Sequence, residues 1–233
     1  MELTPRLQRI ADWIRPGARI ADVGTDHAYL PVWLRQQDRV SFAIASDLRK
    51  GPLEHAKETG RIYGIDRIDF RLCDGLAGIS PEEVDTVVIA GMGSETICSI
   101  LAAAPWTADG NHTLLLEPQS HTDRLRLFLS QNGYRIIRDC LVYDRGTSYP
   151  VMEVTAGNEA LTLGQLWGGA KLLHDPLGDR YIIETMIRLQ GAVAGLNRST
   201  KEKDQQRAEE LRDILTALLQ MREEWRHANC QTN

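Results

Sequence analysis

The sequence predicts an α/β protein: a mostly parallel sheet with helices on both faces, closed by a C-terminal β-hairpin and followed by an appended, coiled-coil-like helical hairpin. Three observations carry this reading. Five apolar runs rich in β-branched residues alternate with helical segments between residues 19 and 117, the pattern of strand-helix-strand units. Runs such as Val87-Val88-Ile89-Ala90 are apolar without alternation, as strands buried on both faces must be. Beyond Gly157 the strand signals stop, and apolar residues recur at helical spacing.

Taken in order, the strands are expected at 19–23, 42–47, 68–73, 84–90 and 113–117, with helices at 29–36, 52–63 and 95–103. Leu125, Phe128 and Leu129 then form an apolar helical stripe, with Thr122-Asp123 as cap candidates and Asn132-Gly133 as its end. Two β-like runs, 134–143 and 149–155, flank a turn at 144–148 and read as a hairpin. Pro176 and Gly178 punctuate the entry to a seam of Ile182, Met186, Leu189, Val193 and Leu196. A polar interruption at 197–210 precedes Ile214, Leu218, Met221 and Trp225, so two antiparallel helices are expected. The division is residues 1–157 for the sheet domain and 158–233 for the helical hairpin.

Bulk properties exclude several classes. With 42% apolar residues in 233, the chain can bury a full core. It has no apolar stretch approaching the roughly 20 residues of a membrane helix, and its first residues lack a secretory signal. Four cysteines without a C-x-x-C pair suggest neither a disulfide framework nor a thiolate metal site, so reduced thiols, no metal and a cytoplasmic location are expected. A net charge of −5 argues against nonspecific coating of nucleic acid; any RNA must be met by local patches. The oligomeric state is left open, a monomer included.

The chemistry sits where the strands end. The first strand delivers Asp22-Val23-Gly24-Thr25-Asp26-His27-Ala28 to a helix start. Dinucleotide sites place G-x-G-x-x-G at this turn. Here Asp26 holds the second glycine position; a carboxylate repels pyrophosphate but pairs with the α-amino group of S-adenosylmethionine (SAM). Capping of the following helix is the other reading of Asp26. Ser46-Asp47 ends the second strand about 20 residues beyond the glycine, the place of an acid that binds ribose hydroxyls, unless Asp47 caps a helix. Asp74-Gly75-Leu76 ends the third, where an acid meets the adenine amino group and leucine its ring; ordinary turn chemistry also explains the pair. Gly91-Met92-Gly93 follows the fourth strand. Two glycines leave room for a flat base, or for close helix-strand approach. No Asn/Asp-Pro-Pro-aromatic sequence is present, so a ring nitrogen is the better methyl acceptor. Glu117, Gln119 and His121 offer further polar contacts on the same rim.

These motifs, in this order, resemble the bacterial tRNA (adenine-22-N1)-methyltransferase family over nearly the whole chain. The resemblance rests on Asp22 through Pro31, Gly51-Pro52-Leu53, Asp74-Gly75-Leu76, Ile89-Ala90-Gly91-Met92-Gly93 and the C-terminal hairpin. It implies a Rossmann-like SAM methyltransferase sheet, SAM as cofactor and tRNA as partner. By the same resemblance Gly24, Asp26, Asp47, Leu48, Asp74, Gly75, Ala90 and Gly91 bind the cofactor, while Asp26, His27, Met92 and Gly93 lie near the methyl group and target base. The chain departs from the family pattern at Ser94, where a glycine is usual, at Glu117-Pro118-Gln119, where Gln-Pro-Asn is usual, and at Arg145-Gly146-Thr147, where the turn is often more acidic. Phosphate contacts are expected from Arg6, Arg9, Arg15 and Arg19 and from Arg198, Lys201, Lys203 and Arg207. The readings set against this are the same fold with another acceptor, an NAD-linked oxidoreductase and a noncatalytic binding protein.

Overall fold

Alternation along the central strands divides the interior into two layers. In the computed structural model, which describes residues 1–230, the central strands are β1 (Ala18–Val23), β4 (Thr86–Met92) and β5 (Thr113–Pro118). Ala21, Val23, Val87, Ile89, Leu114 and Leu116 enter one core, and Ile20, Val88 and Leu115 the other, because successive strand side chains face opposite ways. α4 (Ser94–Ala103) and α5 (Thr122–Gln131) cover the first layer through Ile97, Leu101, Leu125 and Leu129. α1 (Pro5–Trp13), α2 (Tyr29–Gln36) and α3 (Lys50–Ile62) cover the second through Ile10, Leu30, Val32 and Ala56.

With β2 (Val40–Asp47), β3 (Asp69–Leu72), β6 (Tyr134–Asp144) and β7 (Thr147–Ala156), the sheet has the order β3-β2-β1-β4-β5-β7-β6. β1 to β5 pair in parallel, and β7 pairs antiparallel with both β5 and β6. The chain moves outward from β1 to β3 on one side and restarts at β4 on the other. Such a reversal opens a crevice at the carboxyl ends of β1 and β4.

Several sequence expectations are corrected. The hairpin turn is only Arg145-Gly146, with φ of 48° and 89°, a two-residue loop whose left-handed conformations match the strand twist; the five-residue turn at 144–148 was too long. Residues 197–210 do not interrupt the helical pair as a block, since α7 (Gly178–Leu196) and α8 (Glu202–Cys230) leave only 197–201 between them. Glu, Lys, Gln and Arg are good helix formers, and Ala208 and Leu211, both buried, carry the seam through the polar stretch. Thr122 is helical and does not cap α5, whose N-cap is His121 at φ 51°. Two helices were missed. α1 carries a legible signal, the Thr4 cap followed by Pro5, and α6 (Leu163–Gly168) has a Thr162/Gln165 capping box.

A fully buried ion pair ties α6 and the segment leading into the helical pair to the sheet domain. Arg126 of α5 donates to Asp139 of β6 at 3.1 Å, both side chains being 0% exposed. Asp139 also accepts from Ala170 N–H, and Arg126 donates to the Leu166 carbonyl. No helix among the described residues is long and apolar enough to cross a membrane. Cys73, Cys98 and Cys140 are free thiols; the Cys230 side chain lies outside the described residues.

Candidate active site at the sheet crevice

A cavity of about 390 Å³ opens at the β1/β4 reversal, within the range of roughly 300–1,000 Å³ common for small-molecule sites. Its walls come from the ends of four elements: Val23 and Gly24, Ser46 to Arg49, Cys73 to Ala77, and Met92 with Thr96, Ser99 and Ile100 of α4. Gly24 sits at φ +78°, a backbone conformation that favours glycine, and a Cβ there, 2.1 Å from Met92 Cε, would push the flexible end of that methionine aside. The Gly24 and Thr25 N–H groups both donate to the Ser46 carbonyl, at 2.8 and 2.9 Å, which ties the first loop to the second strand end.

Of the expected site residues, Gly24, Asp47, Leu48, Asp74, Gly75 and Met92 line this cavity. Asp47 is buried, and its Oδ1 accepts from Arg49 N–H at 2.8 Å, so it orders its own loop rather than capping α3, whose N-cap is Arg49. Gly75, at φ +53°, lets the chain pass Ile100 where a Cβ would be 3.0 Å from Cγ1. Asp26, His27, Ala90, Gly91 and Gly93 are not among the residues of the cavity wall. Asp26 is exposed and lies 3.6 Å from His27 Nε2; it does not cap α2, whose N-cap is Ala28. The His27 ring stacks on Tyr29 at 5.1 Å and on His55 at 5.4 Å.

Asp22 was quoted in the sequence motif but not singled out. It is buried at the end of β1, and desolvation pushes its pKa up to about 6, with Thr25 beside it lowering the value in part. Thr25 Oγ1 and Ser46 Oγ are buried without hydrogen-bond partners among the described residues. Unpaired buried hydroxyls are costly; of the two, Ser46 lines the cavity, where a polar ligand could pair with it. Thr96 and Ser99, three residues apart on one helical face, are further lining residues that this spacing could have revealed. A polar amino-acid end at Gly24, a ribose at Asp47 and a base between Leu48, Asp74 and Leu76 fit this donor set.

The fourth strand end is stitched to the fifth. The β4/β5 register shifts between Ala90 and Met92, and Gly91 N–H donates instead to Glu117 Oε2 at 2.8 Å. Gln119 N–H donates to the Met92 carbonyl, and Ser94 Oγ donates to the Ser120 carbonyl at 2.6 Å. Glu117 is buried, 1% exposed, and turned inward, so its expected place as a free rim contact is corrected; Gln119 stays exposed on the rim while its amide donates to Glu117. Arg6 is likewise engaged, bound to Glu117 and Asp144, and Arg15 and Arg19 lie beside Asp85. Arg6 is thus taken up by the fold, whereas Arg9, Arg15 and Arg19 remain exposed.

This fold with a cavity at the reversal and acids at successive strand ends defines a methyltransferase of the Rossmann-like class. A methyltransferase-domain family model matches residues 3–152. The curated tRNA (adenine(22)-N(1))-methyltransferase of Bacillus subtilis is 36% identical over 159 residues, covering 68% of this chain and 67% of that one. The crystal structure of the B. subtilis m1A22 tRNA methyltransferase superposes with a TM-score of 0.86 at 30% identity, covering 95% of this chain and 99% of that one. A Streptococcus pneumoniae structure described as a putative tRNA (m1A22) methyltransferase in complex with S-adenosyl-L-methionine gives 0.82 at 27% identity, covering 95% and 100%. The chain belongs to the tRNA (adenine(22)-N(1))-methyltransferase family.

Proposed function

We propose that the chain binds SAM in the crevice cavity and methylates N1 of adenosine 22 in tRNA. The observation that carries this reading is the cavity itself, where Gly24, Asp47, Asp74 and Met92 from four strand ends share one wall. SAM, when bound, supplies an electrophilic methyl group whose C–S bond electrons leave with sulfur as the base nitrogen bonds to carbon. N1 of adenine has an in-plane lone pair and no proton, so the protein needs no general base; holding nucleophile and methyl in line removes several kcal/mol of barrier.

The chain's own residues take these roles. Asp22, with the Gly24 turn, receives the α-amino end; Asp47 accepts from the ribose; Leu48, Asp74, Gly75 and Leu76 hold the adenine. Asp26, His27, Met92 and Gly93, with Ala90 and Gly91 behind them, form the edge at which the target base arrives. A groove of about 780 Å³ continues from Gln119, His121 and Arg124 to Trp167, Arg188 and Arg207 on the C-terminal unit. Aromatic and arginine side chains in one groove support an RNA path, and residues 158–233 would then act as a substrate-binding unit beside the SAM domain of residues 1–157. A cytoplasmic location fits a tRNA substrate. Incubation with SAM and a panel of tRNA transcripts, followed by nucleoside mass spectrometry, tests the reading: 1-methyladenosine is expected, and a different methylated nucleoside or none rejects it.

A further inference from the structure

Gly91 is the residue at which β4 falls out of register with β5, and a bulge leaves one backbone group without its ladder partner. Here that N–H is taken by a side chain. Glu117 Oε2 accepts it at 2.8 Å, while the same carboxylate accepts from Gln119 at 2.8 Å and from Arg6 at 3.2 and 3.3 Å. Arg6 comes from α1, at the far end of the sequence, and is itself fixed by Asp144 of β6 at 3.0 Å and by the Tyr149 ring of β7, 4.5 Å from its guanidinium carbon. Glu117 of β5 thus holds the Ala90–Gly91 peptide, one residue before Met92, and is itself held by Arg6 of α1, which β6 and β7 fix in turn.

We infer that Glu117 is a positioning residue for methyl transfer, whose carboxylate, paired with Arg6, fixes the Gly91 N–H. An amide offers one acceptor oxygen and two N–H donors. A carboxylate offers acceptors only, so it can serve Gly91, Gln119 and Arg6 together. Protonation would leave an O–H facing the donors of Arg6 and Gln119 and break the arrangement. The groups that face Glu117 are the Arg6 cation, neutral Gln119 and the Gly91 amide, with Asp144 one step behind Arg6. Burial pushes the Glu117 carboxyl above its usual range, and Arg6 acts against that rise. Removing the cation should therefore carry its titration into the working pH range.

The inference rests on the methyltransferase reading, and the wild-type protein separates the two: absence of methyl transfer by wild type sinks that reading, whereas the inference is decided among variants of an active enzyme. The measurement is kcat against pH at saturating SAM and tRNA transcript, with KM for each and circular dichroism as a check on folding. Glu117→Ala is expected to lower kcat at least tenfold with both KM values within about threefold, and Glu117→Gln to recover only part of the loss, because its one acceptor oxygen cannot serve Gly91, Gln119 and Arg6 together. Arg6→Met should move the acid limb of kcat up by at least one pH unit, and the Arg6→Met/Glu117→Gln double variant should lose that displacement. A kcat within twofold of wild type in Glu117→Ala would overturn the inference, as would an upward displacement that persists in the double variant. If Glu117→Ala does not fold, the pH profiles of Arg6→Met and the double variant decide alone.

Discussion

At the scale of single residues, ligand binding is expected to depend on the Gly24 turn in the cavity wall and on Asp22, buried near the end of β1. Gly24 combines a left-handed backbone with a Cβ position 2.1 Å from Met92 Cε. Gly24→Ala is therefore expected to weaken SAM binding at least tenfold by calorimetry. Shortening the neighbour in Gly24→Ala/Met92→Ala should restore only part of it, because the strain at φ +78° remains. Asp22 contributes a carboxyl raised to about 6 by burial. Proximity to an ammonium group favours the ionised form, so SAM binding should be tighter once Asp22 is ionised. Affinity is expected to rise as pH increases from about 5 to 7 and then level, and Asp22→Asn should abolish that rise. The stability of the free protein has the opposite sign. A folded pKa above the ordinary aspartate value of 3.8 means the native state binds the proton more tightly. Stability falls between about pH 4 and pH 6 by on the order of 3 kcal/mol from this group alone, and denaturant titration of Asp22→Asn should show a flatter profile.

At the scale of elements, the buried Arg126–Asp139 pair joins α5 and β6 to the segment leading into α7. Removing one partner leaves a charge without compensation, which costs about 3–5 kcal/mol. Asp139→Ala is expected to lower the denaturation midpoint accordingly, and an unchanged midpoint would show that the docking does not depend on the pair. What the sequence made legible follows the same physics. Strands buried on both faces, such as 87–90, announce themselves by composition, and α2 was placed at its observed bounds because its apolar face and Pro31 agree. α1 was missed because its buried face reduces to Ile10 and Ala11, too short a period to stand out. The polar stretch before Leu211 was misread because a helix exposed on most of its circumference looks like a loop in hydropathy. In the site, residues that point along strand ends, Gly24, Asp47 and Asp74, were readable by spacing. The burial of Asp22 and the inward turn of Glu117 were not, since both depend on partners up to 111 residues away.

At the scale of the whole molecule, a chain of net charge −5 must meet RNA through a local surface. The groove between the sheet rim and the helical pair includes Arg124, Arg188 and Arg207, with Lys201 and Lys203 at the adjoining α7–α8 junction. Reversing Lys201, Lys203 and Arg207 to Glu is expected to weaken tRNA binding and flatten its salt dependence, while calorimetric SAM affinity stays unchanged; undiminished tRNA affinity would remove the helical pair from the RNA path. The central claim joins the crevice to one base. Its most direct measurement is methyl transfer from isotopically labelled SAM to two tRNA transcripts that differ only at nucleotide 22. Labelled 1-methyladenosine in the adenosine-22 transcript and none in the guanosine-22 transcript is the predicted result. Equal labelling of both, or label in any other nucleoside, would contradict it.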